Sequence, residues 1–381
     1  MEDLIYLILI ILSIININIK CGNQYFNDYM DLENTNNVKG IFVWMIFFRH
    51  SYDYYYKDPR KISNIIDISL EQNIVSLFLF YSGYGIYKSF SNKGKKYIKT
   101  LPIKSTILFI KTQIILFLFL LNNKFLHKKI SFKEYFYAVI LKKSIGNSYW
   151  FSFTIITIYI ESYFAFILIR NKKYNFLGIL FLTIICYFHI KFVYKYYYPK
   201  EIITVDTIIC FITGFYYCYF QTCLDKIIML NDISYLAIIS IIAFSYYKFH
   251  IHINRAILFY KNIKNFFFTL MAVLLTMKIQ FKNDFLKLMN SHSYSIFLLQ
   301  RIIFILIYEK GIFKDYPFIR FFIQFSVVVL ISCIFDKYTI YIDIILKNRI
   351  IKNNKNNTQK ENKLISDIVK NNEVAKLIEI S

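Results

Sequence analysis

Two ionisable side chains stand in one apolar run, Val38-Lys-Gly-Ile-Phe-Val-Trp-Met-Ile-Phe-Phe-Arg-His50. Lys39 and His50 are eleven residues apart. At ~3.6 residues per turn this is almost three turns, which puts both on one helix face, ~16 Å apart along the axis. An imidazole titrates near neutral pH, so His50 is the residue type that takes or returns a proton under ordinary conditions. Asp53 lies one helical turn beyond, in register to orient the ring or to stabilise the imidazolium. Arg49 points about 100° away from His50 and reads either as an interfacial cation or as a substrate contact. An ionisable group deep in an apolar helix is costly and marks function by default. The stretch by itself also fits a plainer reading, with His50 snorkelling at a membrane edge and Lys39 as an interfacial anchor.

The elements that must hold these residues follow from composition. The chain has 381 residues, 57% of them hydrophobic and 20% aromatic. Its apolar runs are separate and of membrane-spanning length, which excludes an ordinary soluble domain. Lysine and arginine outnumber acidic residues by 46 to 24. In a soluble protein that excess would suggest nucleic acid. Here the cations sit in loops and in the tail, where the positive-inside rule and anionic headgroups account for them, so no nucleic-acid partner is expected. The six cysteines, Cys21, Cys186, Cys210, Cys218, Cys223 and Cys333, have no zinc spacing and read as reduced thiols. No His/Asp/Glu cluster has metal-ligand spacing either, so no metal is expected.

Residues 1–21 hold a short apolar segment over 4–19, preceded by Met-Glu-Asp rather than a basic flank. It reads as a retained transmembrane helix, with a cleaved signal as the alternative. Further spans are predicted at about 38–55, 73–90, 104–121, 148–169, 175–193, 203–221, 227–246, 263–279, 291–309 and 317–336. The expected fold is therefore an all-α polytopic bundle of ten core transmembrane helices plus one N-terminal span. The core domain runs over 32–340 and a basic, partly disordered tail over 348–381. The basic loop 88–104 and the tail are separated by an even number of spans, so both fall on one side, the cytoplasmic one. The lysines of loop 122–147 do not fit that assignment. This topology puts the N-terminus outside, the C-terminus inside, and Lys39 at the cytoplasmic end of its helix.

Four pieces, in order, carry a resemblance to a known family. Asn36-Asn-Val-Lys-Gly-Ile…Arg-His50 resembles a first helix with a basic residue, usually Arg, ahead of a His. Leu77-Phe-Leu-Phe-Tyr-Ser-Gly-Tyr-Gly85 resembles an aromatic-rich Ser-Gly-Tyr-Gly helix followed by a basic loop, which here offers Lys99, Pro102 and Lys104. Cys210-Phe-Ile-Thr-Gly214 is similar to a Cys-Phe-x-x-Gly helix, and Ser293-Tyr-Ser-Ile-Phe-Leu-Leu-Gln-Arg301 to a late Ser-x-x-Ile-Tyr-Leu-x-His helix. Together, over about Leu32 to Lys337, they look like acyltransferase family 3, integral membrane enzymes that O-acylate surface carbohydrates. Two departures stand out: Lys39 takes the usual Arg position, and Gln300 the late His.

The resemblance implies transfer of an acyl group, most often acetyl, from cytoplasmic acyl-CoA to a hydroxyl of a surface polysaccharide or lipid-linked sugar. Acyl-CoA would be a co-substrate, with no tightly bound cofactor. The enzyme would be a multi-pass protein of a bacterial-type plasma membrane. His50 would be the catalytic base and Asp53 its partner. Lys39, Lys99 and Lys104 would hold the donor's phosphates. Arg49 and Arg301 would contact the carbohydrate acceptor. Ser82 and Gly83 read as a close-packing pair rather than a nucleophile. Glu161, His189, Asp206 and Asp232 read as structural pairs or edge residues, Glu161 pairing with a cation across the bundle. His250 and His252, with Arg255, read as a surface connection. Tyr52, Tyr54, Tyr55 and Tyr56 read as interfacial aromatics. The rival from another class is a transporter or flippase of lipid-linked glycan, which would bring inverted repeats and broken helices.

Overall fold

The computed structural model describes residues 2–55, 72–140, 145–146, 149–169, 174–197, 207–251 and 258–345. The side chains of Glu2, Tyr52, Asp53, Tyr55, Tyr149 and residues 194–197 lie outside that description, as do Tyr56, Asp206, His252, Arg255 and the tail 348–381. The fold is all-α and membrane-embedded. Besides a short turn of helix at Lys95–Ile98, the helices in chain order are α1 Glu2–Ile14, α2 Leu32–Tyr55, α3 Asn73–Lys93, α4 Leu101–Phe125, α5 Phe132–Val139, α6 Tyr149–Ile167, α7 Asn175–Tyr197, α8 Ile208–Ile228, α9 Asp232–Ile251, α10 Leu258–Thr276, α11 Asp284–Ser291, α12 Ser293–Glu309 and α13 Pro317–Ile345. Each apolar run predicted after the first falls on one of them. Residues 1–334 pack as one unit and the chain from Phe335 onward as a second.

Among the described residues, six stretches are long and apolar enough to cross a membrane: Lys95–Phe125, Trp150–Ile167, Asn175–Val193, Asp232–Ile251, Leu258–Thr276 and Pro317–Ile345. A seventh results if α11 and α12, bent by 76°, count as one broken span. α9 is largely exposed, and only its Tyr235 is buried. By contrast α3, with Ser76, Ser82, Gly83 and Gly85, buries most of its length. Helices wrapped by others need not be apolar throughout, because lipid never meets their polar residues.

The segment expected as a span over 1–21 is not one continuous helix. α1 has thirteen residues, ~20 Å at 1.5 Å per residue, where a hydrocarbon core needs ~30 Å. The chain then forms a strand, β1 Ile17–Ile19, antiparallel to β2 Ile279–Phe281 in the register Ile17 to Phe281. α1 packs on α2 instead, with Tyr6 edge-on to Trp44 and Phe48, and Trp44 Nε1 donating to Ser13 Oγ at 2.8 Å.

The end of the bundle near β1 is pinned by polar contacts. Gln280 Nε2 donates to Asp28 Oδ1 at 2.7 Å. Burial would raise the Asp28 carboxyl, but the bonds from Gln280 and Asn34 outweigh it and hold the group below its usual range. Lys278 pairs with Asp232 at 2.9 Å. Tyr25 hydroxyl also donates to Asp232, and burial together with that bond pushes the phenol up to about 12.

Three helix contacts are closer than any side chain would permit. A Cβ on Gly83 would lie 2.1 Å from the backbone oxygen of Phe211, and one on Gly214 would lie 2.2 Å from that of Phe80. The two glycines therefore face each other where α3 crosses α8. Gly40 on α2 meets the Leu286 oxygen of α11 at 2.1 Å in the same way. Gly85, two residues from Gly83, has open space. Gly83→Ala and Gly214→Ala should therefore each destabilise the protein by about 1–3 kcal/mol or more, whereas Gly85→Ala should be tolerated. Thermal unfolding of the detergent-solubilised protein reads the contrast, and equal behaviour of Gly83 and Gly85 variants would mean that the crossing does not limit stability.

Candidate functional site

The face of α2 predicted to carry Lys39 and His50 lines two adjoining cavities. The first, about 230 Å³, takes Lys39, Val43 and Ile46 from α2, at positions i, i+4 and i+7. Opposite stand Val75, Phe78 and Ser82 of α3, Leu108 of α4, Phe151, Ile155 and Tyr159 of α6, and Ser293, Tyr294, Phe297 and Gln300 of α12. The second, about 240 Å³, takes Ile46, Arg49 and His50 from α2, with Gln72, Trp150, Lys261, Lys264 and Asn265 around it. Ile46, Val75 and Phe297 line both.

Phe297 is the aromatic hub of that shared wall. Its ring lies 6.1 Å from His50, 5.9 Å from Trp150 and 4.6 Å from Phe151, centroid to centroid. Its place depends on the break between α11 and α12. Asn283 caps α11 by accepting from the Phe285 amide, and its own amide bonds to Asn37 of α2. After the 76° bend, Tyr294 anchors the start of α12. Its hydroxyl shares bonds with Thr112 of α4 at 2.7 Å and Ser152 of α6 at 3.1 Å. Gly40 lets α11 approach the turn of α2 that carries Lys39.

The structure gives positions to most of the side chains singled out in the sequence. Lys39 stands at one end of the first cavity, 6.0 Å from the Tyr81 ring centroid. His50 and Arg49 share the second cavity, despite the ~100° between their directions on the helix. The Asp53 side chain lies outside the described residues. Lys104 does not line the Lys39 cavity. It sits over Tyr97, 4.3 Å from the ring centroid, one turn before Leu108, which does line it. Lys99 is exposed. Arg301 lines neither cavity, because it follows Gln300 by one residue and so turns away from the Lys39 face. Gln300 is fully buried. Its Nε2 donates to Phe297 oxygen at 3.1 Å, and its Oε1 has no donor among the described residues.

The remaining polar residues take structural places. Glu161 on α6 pairs with His189 Nδ1 on α7 at 2.5 Å, and Cys186 Sγ donates to the same carboxylate. Ser82 donates to Phe78 oxygen within its own helix. His250 ends α9 and stacks on Tyr246, and Tyr54 packs on Phe304 and Tyr308.

Lys261, Lys264, Asn265 and Gln72 were not singled out from sequence, yet they line the His50 cavity. The signal was present. Lys261, Lys264 and Asn265 are spaced i, i+3 and i+4 in the first turns of a largely apolar helix, which makes one polar stripe. Compared with known protein families, curated proteins and solved structures, the chain matches none.

The Tyr294 hydroxyl ties three helices together at the cavity wall. Tyr294→Phe should lower the unfolding free energy by about 1–2 kcal/mol, measured in detergent by thermal or denaturant unfolding. An unchanged stability would mean that α12 is seated by packing alone.

Proposed function

We propose that the chain is an integral-membrane O-acyltransferase, as the resemblance to acyltransferase family 3 implies. It would move an acetyl group from cytoplasmic acyl-CoA to a hydroxyl of a surface polysaccharide or lipid-linked sugar. In this reading all ten core helices cross a bacterial-type plasma membrane, with Lys39 at the cytoplasmic end. The observation that carries it is the placement of Lys39 and His50 in two adjoining cavities along one helix face, parted by Ile46, Val75 and Phe297.

The chemistry divides between the chambers. The thioester arm of the donor enters past Lys39, whose cation meets a phosphate. The acceptor hydroxyl enters the His50 chamber. A ring nitrogen of His50 takes the hydroxyl proton as the oxygen attacks the thioester carbonyl. The C–O bond forms, the C–S bond breaks, and the departing thiolate receives the proton. Gln300, standing where the family usually has His, cannot shuttle a proton. Its Oε1 instead suits an amide N–H of the pantetheine arm.

The bend between α11 and α12 favours the rival reading in one respect, since transporters build sites at broken helices. Transfer of label from radioactive acetyl-CoA to membrane glycan separates the two: an enzyme transfers it, whereas a flippase moves unmodified glycan across the bilayer.

In that assay His50→Ala, at normal protein level, should reduce acetyl transfer by about 10²-fold or more. Unchanged transfer would take His50 out of the mechanism. Gln300→Leu removes a buried acceptor and should leave the melting temperature unchanged or higher. It should raise KM for acetyl-CoA about fivefold while kcat changes less. A kcat loss with KM constant would place Gln300 at the reacting atoms instead.

A further inference from the structure

The acyl group is the leading end of the donor. With a phosphate at Lys39, the thioester points along α2 toward the wall of Ile46, Val75 and Phe297 that the two cavities share. Lys39 and Ile46 are seven residues apart, so ~10 Å of helix separates the cation from that wall. The Lys39 cavity holds about 230 Å³, less than the ~300–1,000 Å³ of ordinary small-molecule sites. A pantetheine arm that runs this length leaves little room beside it for a long acyl chain. What stands ahead of the thioester therefore decides which acyl groups fit.

Ahead stands an aromatic ring with others behind it. Phe297 is 5% exposed. Phe151 lies 4.6 Å from it, Trp150 5.9 Å and His50 6.1 Å, centroid to centroid. Tyr294, one turn earlier on α12, is bonded to Thr112 of α4 and Ser152 of α6, so the turn that carries Phe297 is held too. The ring swings aside only by displacing these neighbours, and interiors packed this way resist even one added methylene. We infer that Phe297 restricts the donor to short acyl groups. Acetyl ends against the ring, and each further methylene must enter space that the ring fills. The inference rests on the acyltransferase reading and adds to it a limit on acyl length and the residue that sets it.

Two measurements on the full-length protein test this. In membranes, label is followed from acetyl-CoA and butyryl-CoA into glycan. The unaltered protein should favour acetyl by about 10²-fold in kcat/KM, on the order of tenfold for each methylene. Phe297→Ala should raise the butyryl-to-acetyl ratio at least about tenfold, and Phe297→Leu should raise it less. Val75→Ala opens the same wall from α3 and should move the ratio in the same direction, so it serves if the Phe297 variants fail to fold. In lipid nanodiscs, the thioethers S-ethyl-CoA and S-butyl-CoA, which have no acyl group to give up, report binding alone. S-ethyl-CoA should raise the melting temperature more than S-butyl-CoA at equal concentration, and Phe297→Ala should remove the difference.

Acetyl transfer with butyryl used equally well, or with a ratio that the wall variants leave unmoved, would overturn the inference and leave the enzyme reading standing. Absence of transfer from either donor, together with a thioether difference that Phe297→Ala removes, would do the reverse, leaving Phe297 as the length limit of a thioether-binding cavity. Neither transfer nor stabilisation by either thioether would overturn both.

Discussion

The architecture depends on backbones that touch. In water, helices are driven together by the burial of apolar surface; between lipid-facing helices that drive is absent, and contact must come from close packing. Gly83 and Gly214 supply it reciprocally, each accepting the other helix's carbonyl where a methyl group would sit. Gly40 does the same between α2 and α11. These contacts set the interaxial distances, and the distances set what remains between the helices. α3 and α11 are drawn in where Ser82, beside Gly83, and Asn290, one turn after Leu286, line the Lys39 cavity.

That constraint gives the sequence pieces a common physical meaning. The Lys-Gly-Ile, Ser-Gly-Tyr-Gly and Cys-Phe-Ile-Thr-Gly stretches each contain one of the three close-contact glycines. A glycine beside a cavity-lining residue is thus the point at which a second helix comes close. Lys39 precedes Gly40 and Ser82 precedes Gly83, and both residues open into one cavity. The polar ends of the bundle add direction to this packing. Asn37, fully buried, joins α2 to the cap of α11, so the turn that carries Lys39 cannot slide against α11.

The helices were legible because apolar runs of that length have few other structures open to them. The shared face of Lys39 and His50 was legible too, since helical register is fixed over eleven residues. Other features depended on information that periodicity lacks. β1 is three residues long, and its partner lies more than 250 residues away; an apolar segment running into such a strand looks like one longer helix. Arg301 was placed by analogy of neighbourhood, and a single residue of rotation turned it from the cavity. Lys261 and Lys264 resembled the interfacial lysines that surround them in a lysine-rich chain. Only the approach of α10 to α2 distinguished them from solvated charges.

The consequence for chemistry is a separation fixed by one rigid element. Because Lys39 and His50 belong to the same helix, ~16 Å between them is set by rise per residue and not by the mutual motion of two domains. A ligand held at Lys39 and a second held beside His50 can therefore meet only at the level of Ile46, Val75 and Phe297, where the two cavities share their wall. Phe297 touches His50, Trp150 and Phe151 at once, and it sits on the helix that begins at the 76° break. A rotation of α12 about that break would change the partition without moving α2. The geometry thus keeps Lys39 and His50 at one spacing along α2, with the apolar wall of Ile46, Val75 and Phe297 shared between their two cavities.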